Sequence, residues 1–234
     1  LANTCAAETL KEKSIQCIYR VHEKPNSDKL ENLNRWLSNL NFDFPYISKI
    51  STNTFNKILE QSIKLKISEI VSQGILRAQS QAIYSIENKG HFGLALPNYC
   101  HFTSPIRRYS DLIIHRLLIS ACNLSNNGKY SKSRNFRSIS EKISYNERKA
   151  LIAERKVCDI LFAKYFSNKV RNIFSGYISD INTYGIFVTL NNYGASGLIK
   201  HTKSGKKNFF INHQQKNATV KNSCKVWKIG DKVK

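Results

Sequence analysis

The sequence predicts an α+β chain: a mostly helical part with short strands, followed by a small, incomplete β-barrel. Three observations predict it. Apolar residues recur at helical spacing in successive stretches before residue 168. From Ile173 the period becomes alternating, in short runs separated by turn residues. Glycine and proline gather between the two central helical stretches, at Gly90, Gly93, Pro97 and Pro105, where loops and a helix start can build a site.

Leu1 to about Lys13 reads as a helix, with Ala2, Cys5, Ala6, Thr9 and Leu10 on one side. Glu8 and Glu12 lie one turn apart on the other side and read as a solvated pair rather than a metal site. Cys17 to His22 alternates as a strand. His22 reads as a hydrogen-bonded structural histidine, with a ligand or base as the alternative. Ser27 is placed to cap a second helix carrying Leu30, Leu33, Trp36, Leu37 and Leu40. Phe42 to Ile50 reads as a loop. Thr52 to Lys64 and Ile67 to Gln81 are helical scaffold without evident chemistry. Asn123 to Arg134 is rich in Ser, Asn and Lys and reads as a surface loop. A long helix follows from Phe136 to Asn168, its predicted inner stripe running through Ile139, Ile143, Asn146, Ala150, Ala153, Val157, Ile160, Leu161 and Lys164.

The stretch HFGLALPNYCHFTSPIRRYSDLIIHR, His91 to Arg116, breaks a local rule. Ser104 suits an N-cap and Pro105 a first helical position, so a helix is predicted from Pro105. Arg107 and Arg108 then sit at the positive end of the helix dipole, unfavourable by ~0.3–1 kcal/mol each. A bound phosphate or carboxylate would relieve this, gathering backbone N–H groups and two guanidiniums on one anion. The alternative is that both arginines face solvent or pair with Asp111, four residues beyond Arg107.

HFGLAL, HFTSPIRRY, DL and HR, in this order, resemble the C-terminal half of the catalytic domain of the ribonuclease II/ribonuclease R (RNB) family. YRVHEKPNSDKLENL and NERKALIAERKVCD are similar to further stretches of that domain, and the whole is most like the ribonuclease R type. The resemblance implies a 3′-to-5′ exoribonuclease that hydrolyses single-stranded RNA to nucleoside 5′-monophosphates. In the family the first arginine of PIRRY lies at the scissile phosphate, a role that falls on Arg107. Arg108 is the neighbouring position, where either basic residue occurs. His101 and Tyr109, in the same motif, are counted with the RNA-binding residues. The acid that the family places near the 3′-terminal nucleotide corresponds to Glu154 rather than Glu147.

The alternating segments GYISDI, YGIFVTL and ASGLI resemble an OB-fold RNA-binding domain of the S1 type. This divides the chain into residues 1–170, the C-terminal part of the catalytic domain, and 171–234, an S1-type barrel, truncated where GDKVK resembles the start of a late strand. Tyr184 and Phe187 match the stacking positions, with barrel core the alternative for Phe187. Lys200 stands where the pattern has histidine and His201 follows one place later, leaving a phosphate contact for either. The family holds Mg2+ with clustered aspartates that the resemblance places upstream. Asp28, Asp43, Asp111, Asp159, Asp180 and Asp231 are too dispersed to supply that cluster, so the metal ligands are expected outside this chain, as are the family's cold-shock domains.

The composition agrees with a polyanion partner. The 234 residues carry a formal net charge of +21, although a sequence so rich in Lys, Asn and Ile can also reflect a biased genome. The six cysteines form no C-x-x-C pair, which argues against a zinc or redox motif and for free thiols in a reducing cytoplasm. No apolar run is long enough to span a membrane and no signal-peptide pattern opens the chain. The absence of methionine and the start at Leu1 suggest a piece of a longer reading frame, or an unusual start codon. Two functions remain: part of an exoribonuclease, monomeric and bound to single-stranded RNA, that needs its metal-binding half for activity; or a non-catalytic RNA-binding fragment of a split or decayed gene.

Overall fold

The computed structural model describes residues 1–38, 40, 42, 50–65, 67–124, 135–200, 209–212, 217–220 and 226–234. Two compact units emerge. The first comprises Leu1–Leu30, Ile47–Phe55 and Ala78–Glu154; the second comprises Glu31–Tyr46, Asn56–Arg77 and Arg155–Lys234. The mixture of helices and antiparallel sheet is the α+β class predicted.

In the first unit, helix α1 (Ala2–Glu12) buries Ala6, Ala7 and Leu10, spaced as an amphipathic helix requires. Strand β1 (Tyr19–Val21) pairs antiparallel with β2 (Ile83–Ser85), Arg20 opposite Tyr84. This ladder shares one core with α1, with Cys100, and with Ile113, Ile114 and Leu117 of α5 (Tyr109–Ala121). Helix α6 (Phe136–Ser167) adds Phe136, with Ile139 and Ile143 packed alongside. The predicted stripe of α6 is inward only in these first turns. Val157, Ile160 and Leu161 are 54%, 59% and 59% exposed, because a periodic pattern buries a side chain only where something packs against it.

Helix α2 (Ser27–Ser38) corrects a predicted cap. Asn26, not Ser27, accepts the Lys29 N–H at 3.0 Å through its side chain. Helices α3 (Thr52–Lys64) and α4 (Ser68–Ala78) follow the predicted pattern. Most of the expected loops 42–50 and 123–134 lie outside the described residues.

In the second unit, β3 (Gly176–Asn182), β4 (Gly185–Leu190), β5 (Ser196–Lys200) and β9 (Lys232–Val233) form an antiparallel sheet in the order β5-β4-β3-β9. Strands β6 (Phe209–Asn212), β7 (Asn217–Val220) and β8 (Val226–Lys228) form a second sheet. Ile178, Ile181 and Ile186 share a core with Phe209, Ala218 and Ile229, and Trp36 and Ile70 pack against it. Gly185 (φ +145°) is required at the β3–β4 hairpin, since a Cβ there would meet the Ile199 carbonyl oxygen.

Candidate functional site

The arginine pair is built differently from the helix start predicted. Ser104 to Arg107 form a turn in which the Arg107 and Arg108 N–H groups both donate to the Ser104 carbonyl, at 3.3 and 3.1 Å. Arg108 is extended (φ −127°, ψ 118°) and caps α5, which starts at Tyr109, four residues later than predicted. The reason is Asp111 in the first turn. Its fully buried carboxylate accepts from the Ser104 N–H at 2.8 Å, an Arg108 guanidinium nitrogen at 2.7 Å and the Ser110 hydroxyl at 3.0 Å. The positive helix end thus already has its anion inside the chain. Burial pushes the Asp111 carboxyl up, and the Arg108, Ser104 and Ser110 donors outweigh that push, so its pKa falls below the ordinary carboxylate value.

The two arginines therefore part company. Arg108 is one-fifth exposed and committed to Asp111, and its Nε is buried without a partner. Arg107 is exposed, and among the described residues its side chain has neither an ion pair nor a hydrogen bond. Asp111 pairs with Arg108, three residues back, while Arg107 faces solvent, the two outcomes the alternative reading named.

Around this hub stands a bonded cluster of which sequence reasoning singled out only His101. Arg20 of β1 pairs with Glu147 of α6 at 2.6 Å and lies 4.6 Å from the centroid of the Tyr84 ring. The Tyr84 hydroxyl and His101 Nδ1 are 2.9 Å apart, and the Tyr84 N–H donates to Ser144 Oγ at 2.9 Å. Burial raises the Tyr84 pKa, so it remains a phenol. Burial, then the nearby Arg108 and Arg20 charges, lower His101 to about 4, so the imidazole is neutral near pH 7. A charged residue in the middle of a strand, Arg20 between Tyr19 and Val21, was the available signal for this cluster.

The structure thus brings together His101 and Arg108, with Arg107 and the half-exposed Tyr109 in the same turn and helix start. Glu154 is exposed on α6 and has no bonding partner among the described residues. In the second unit Tyr184 occupies the hairpin tip, 73% exposed, its N–H donating to Asn182 Oδ1 at 2.9 Å. Phe187 is half-buried and lies outside the apolar cluster, whereas its neighbours Ile186 and Val188 join it. It therefore occupies the sheet face opposite the core. Phe187 pairs with Leu198 and Gly185 with Lys200, so Phe187, Leu198 and exposed Lys200 share that face. His201 lies outside the described residues.

Among the described residues no three His, Cys, Asp or Glu side chains gather as metal ligands. Asp111 accepts from three donors inside the chain, Asp231 accepts the Lys228 N–H, and Asp180 pairs with Arg77. These residues do not fit a divalent cation, and no chemical step follows through one here. No helix among the described residues is long and apolar enough to cross a membrane.

Comparison with known proteins bears on this arrangement. The family model of the RNB domain matches residues 1–123. Ribonuclease R of Aquifex aeolicus (strain VF5) is 35% identical over all 234 residues, which span 33% of that relative. Ribonuclease R of Escherichia coli (strain K12) is 31% identical over 242 aligned residues, covering the whole chain and 30% of the relative. The structure of Mycoplasma genitalium RNase R in complex with ribose methylated single-stranded RNA superposes with a TM-score of 0.88 at 31% identity, over 99% of this chain and 37% of that one. The chain spans about a third of the length of these curated relatives.

Proposed function

This chain belongs to the RNB-domain family, and we propose that it is part of a 3′-to-5′ exoribonuclease acting on single-stranded RNA. Residues 1–170 would be the C-terminal part of the catalytic domain and 171–234 an S1-type RNA-binding barrel. The part supplied here holds and polarises the phosphate. Arg107 carries the reading: it is the exposed arginine of the pair, its charge not spent on a neighbour among the described residues. Its N–H groups would grip the oxygens of the scissile phosphate and oppose the charge that grows on them as the bond to water forms. Arg108, tied to Asp111, holds the turn that presents Arg107. His101, a neutral donor or acceptor, and Tyr109 would contact the nucleotide beside that phosphate. Tyr184, Phe187 and Lys200 would hold RNA further along, by stacking and charge, with little sequence preference.

The test joins this chain to the upstream part of a ribonuclease R relative and measures release of nucleoside monophosphates. Arg107→Ala is expected to lower kcat by about a hundredfold or more while RNA affinity falls only about three- to tenfold. Weaker binding with unchanged kcat would reduce Arg107 to a simple clamp. A joined protein that binds RNA and releases nothing would favour the second reading, an RNA-binding segment without chemistry.

A further inference from the structure

A cavity of about 390 Å3 lies in the first unit, away from the Arg108–Asp111 hub in sequence and lined by Lys24, Ile50, Lys89, His91, Phe92 and Leu96 among others. Its wall is the segment 90–97, bonded onto the end of β1. The His22 N–H donates to the Gly90 carbonyl at 3.1 Å and the Phe92 N–H to the His22 carbonyl at 2.8 Å. His91 and Leu96 exchange backbone bonds of 2.8 and 3.2 Å, which close the loop. Gly93 permits this approach, because a Cβ there would come within 2.9 Å of His22 Nδ1. The cavity is therefore formed before any ligand arrives.

The two histidines in its wall differ. His22 is complete: Nδ1 accepts the Gly93 N–H at 3.0 Å and Nε2 lies 2.7 Å from the Ser80 carbonyl, to which it donates. Such a ring is structural. His91 Nδ1 accepts the Leu94 N–H at 3.2 Å, so the proton of the neutral ring resides on Nε2. Burial, then the neighbouring His22 and Arg20, lower its pKa to about 4, which keeps it neutral. Its Nε2–H has no partner among the described residues. The rest of the lining includes apolar Ile50, Phe92 and Leu96, the hydroxyl side chains of Ser51 and Thr52, and two lysines, Lys24 and Lys89. Lys24 has no side-chain partner among the described residues, and Lys89 is held by Glu23.

We propose that this cavity is a second nucleotide site, taking one 5′-phosphorylated nucleoside. The base lies against Phe92, Leu96 and Ile50, the phosphate meets Lys24 and Lys89, and His91 Nε2–H donates to the sugar or phosphate oxygen. The volume is near the lower end of the roughly 300–1,000 Å3 range of small-molecule pockets, enough for one nucleotide and not for a run of them. Two sources share this chemistry, a free mononucleotide and one nucleotide of an RNA strand. Only the choice of source rests on the exoribonuclease reading.

The test follows the amide signals of His91 and Gly93 and the His91 ring nitrogens by NMR. The full chain is titrated with uridine 5′-monophosphate, uridine, inorganic phosphate and an oligouridylate. Saturable shifts with the monophosphate, at least about tenfold weaker with uridine or phosphate alone, are expected. Lys24→Glu with Lys89→Glu should remove them, and Arg107→Ala should leave them. Shifts with the oligouridylate and not the monophosphate assign the site to the RNA strand and also support it. Absence of saturable shifts with either ligand overturns the proposal, as does their loss in Arg107→Ala with survival in the lysine variant. Release of nucleoside monophosphates by the joined protein, with and without Arg107→Ala, reports separately on the exoribonuclease reading.

Discussion

The start of α5 and the outer face of β4–β5 use charge in opposite ways. At α5, Asp111 draws Ser104, Arg108 and Ser110 onto one buried carboxylate. On the sheet, Phe187, Leu198 and Lys200 share a face outside the core, while Tyr184 extends from the hairpin tip. The first region fixes one guanidinium in place and leaves its neighbour exposed. Among the described residues the second has no buried carboxylate drawing charges onto it. Position is set where polar groups are satisfied internally, and the proposed RNA contacts of the sheet rest on side chains that are not.

The strongest way to break this contrast is at its hub. Asp111→Ala should destabilise the chain by ~3–5 kcal/mol, because it strands the Arg108 charge. Thermal unfolding measures it, and a midpoint within a degree of the parent would remove Asp111 from the account. Acid should act on this hub and on the cavity wall. His91 and His101 have folded pKa values of about 4, below the ordinary histidine value near 6.5. The unfolded chain therefore takes up their protons first, so their contribution is complete above about pH 6.5 and is lost as pH falls toward 4. Asp111, also lowered, retains its contribution until pH falls below the ordinary carboxylate value near 4. Denaturant midpoints between pH 7 and 4 should decline, and replacing both histidines with glutamine should flatten the upper part of that decline.

The sheet should respond in affinity rather than in folding. Tyr184→Ala should weaken single-stranded RNA binding by ~1–3 kcal/mol if the ring stacks on a base, with little change in the unfolding midpoint. A fall in stability with unchanged affinity would make it a structural residue. The smallest effect is expected from Tyr84→Phe, about 1 kcal/mol of stability for one buried hydrogen bond to His101. A larger loss in RNA affinity than in stability would show that the His101 ring orientation matters to the ligand.

Much of the scaffold was legible because periodicity reports amphipathic helices directly. Residues 52–64 and the start at Phe136 follow from it. The α5 start was not, because Ser-Pro announces a turn as readily as a helix, and only the contact of Asp111 with Ser104 N–H separates the two. Arg107 stood out by its motif. Arg20 and Glu147 are 127 residues apart and become partners only when β1 meets α6, which no local pattern states. The α6 stripe failed for the converse reason: spacing identifies an apolar side but not what covers it.

The division of labour between Arg107 and Arg108 is tested most directly by the salt dependence of single-stranded RNA binding in the parent chain and in Arg107→Ala. The parent chain should lose affinity steeply with salt. The variant should keep its unfolding midpoint, bind about three- to tenfold more weakly, and have a log affinity against log salt slope shallower by about one phosphate contact. Unchanged affinity and slope in a folded Arg107→Ala chain would contradict it.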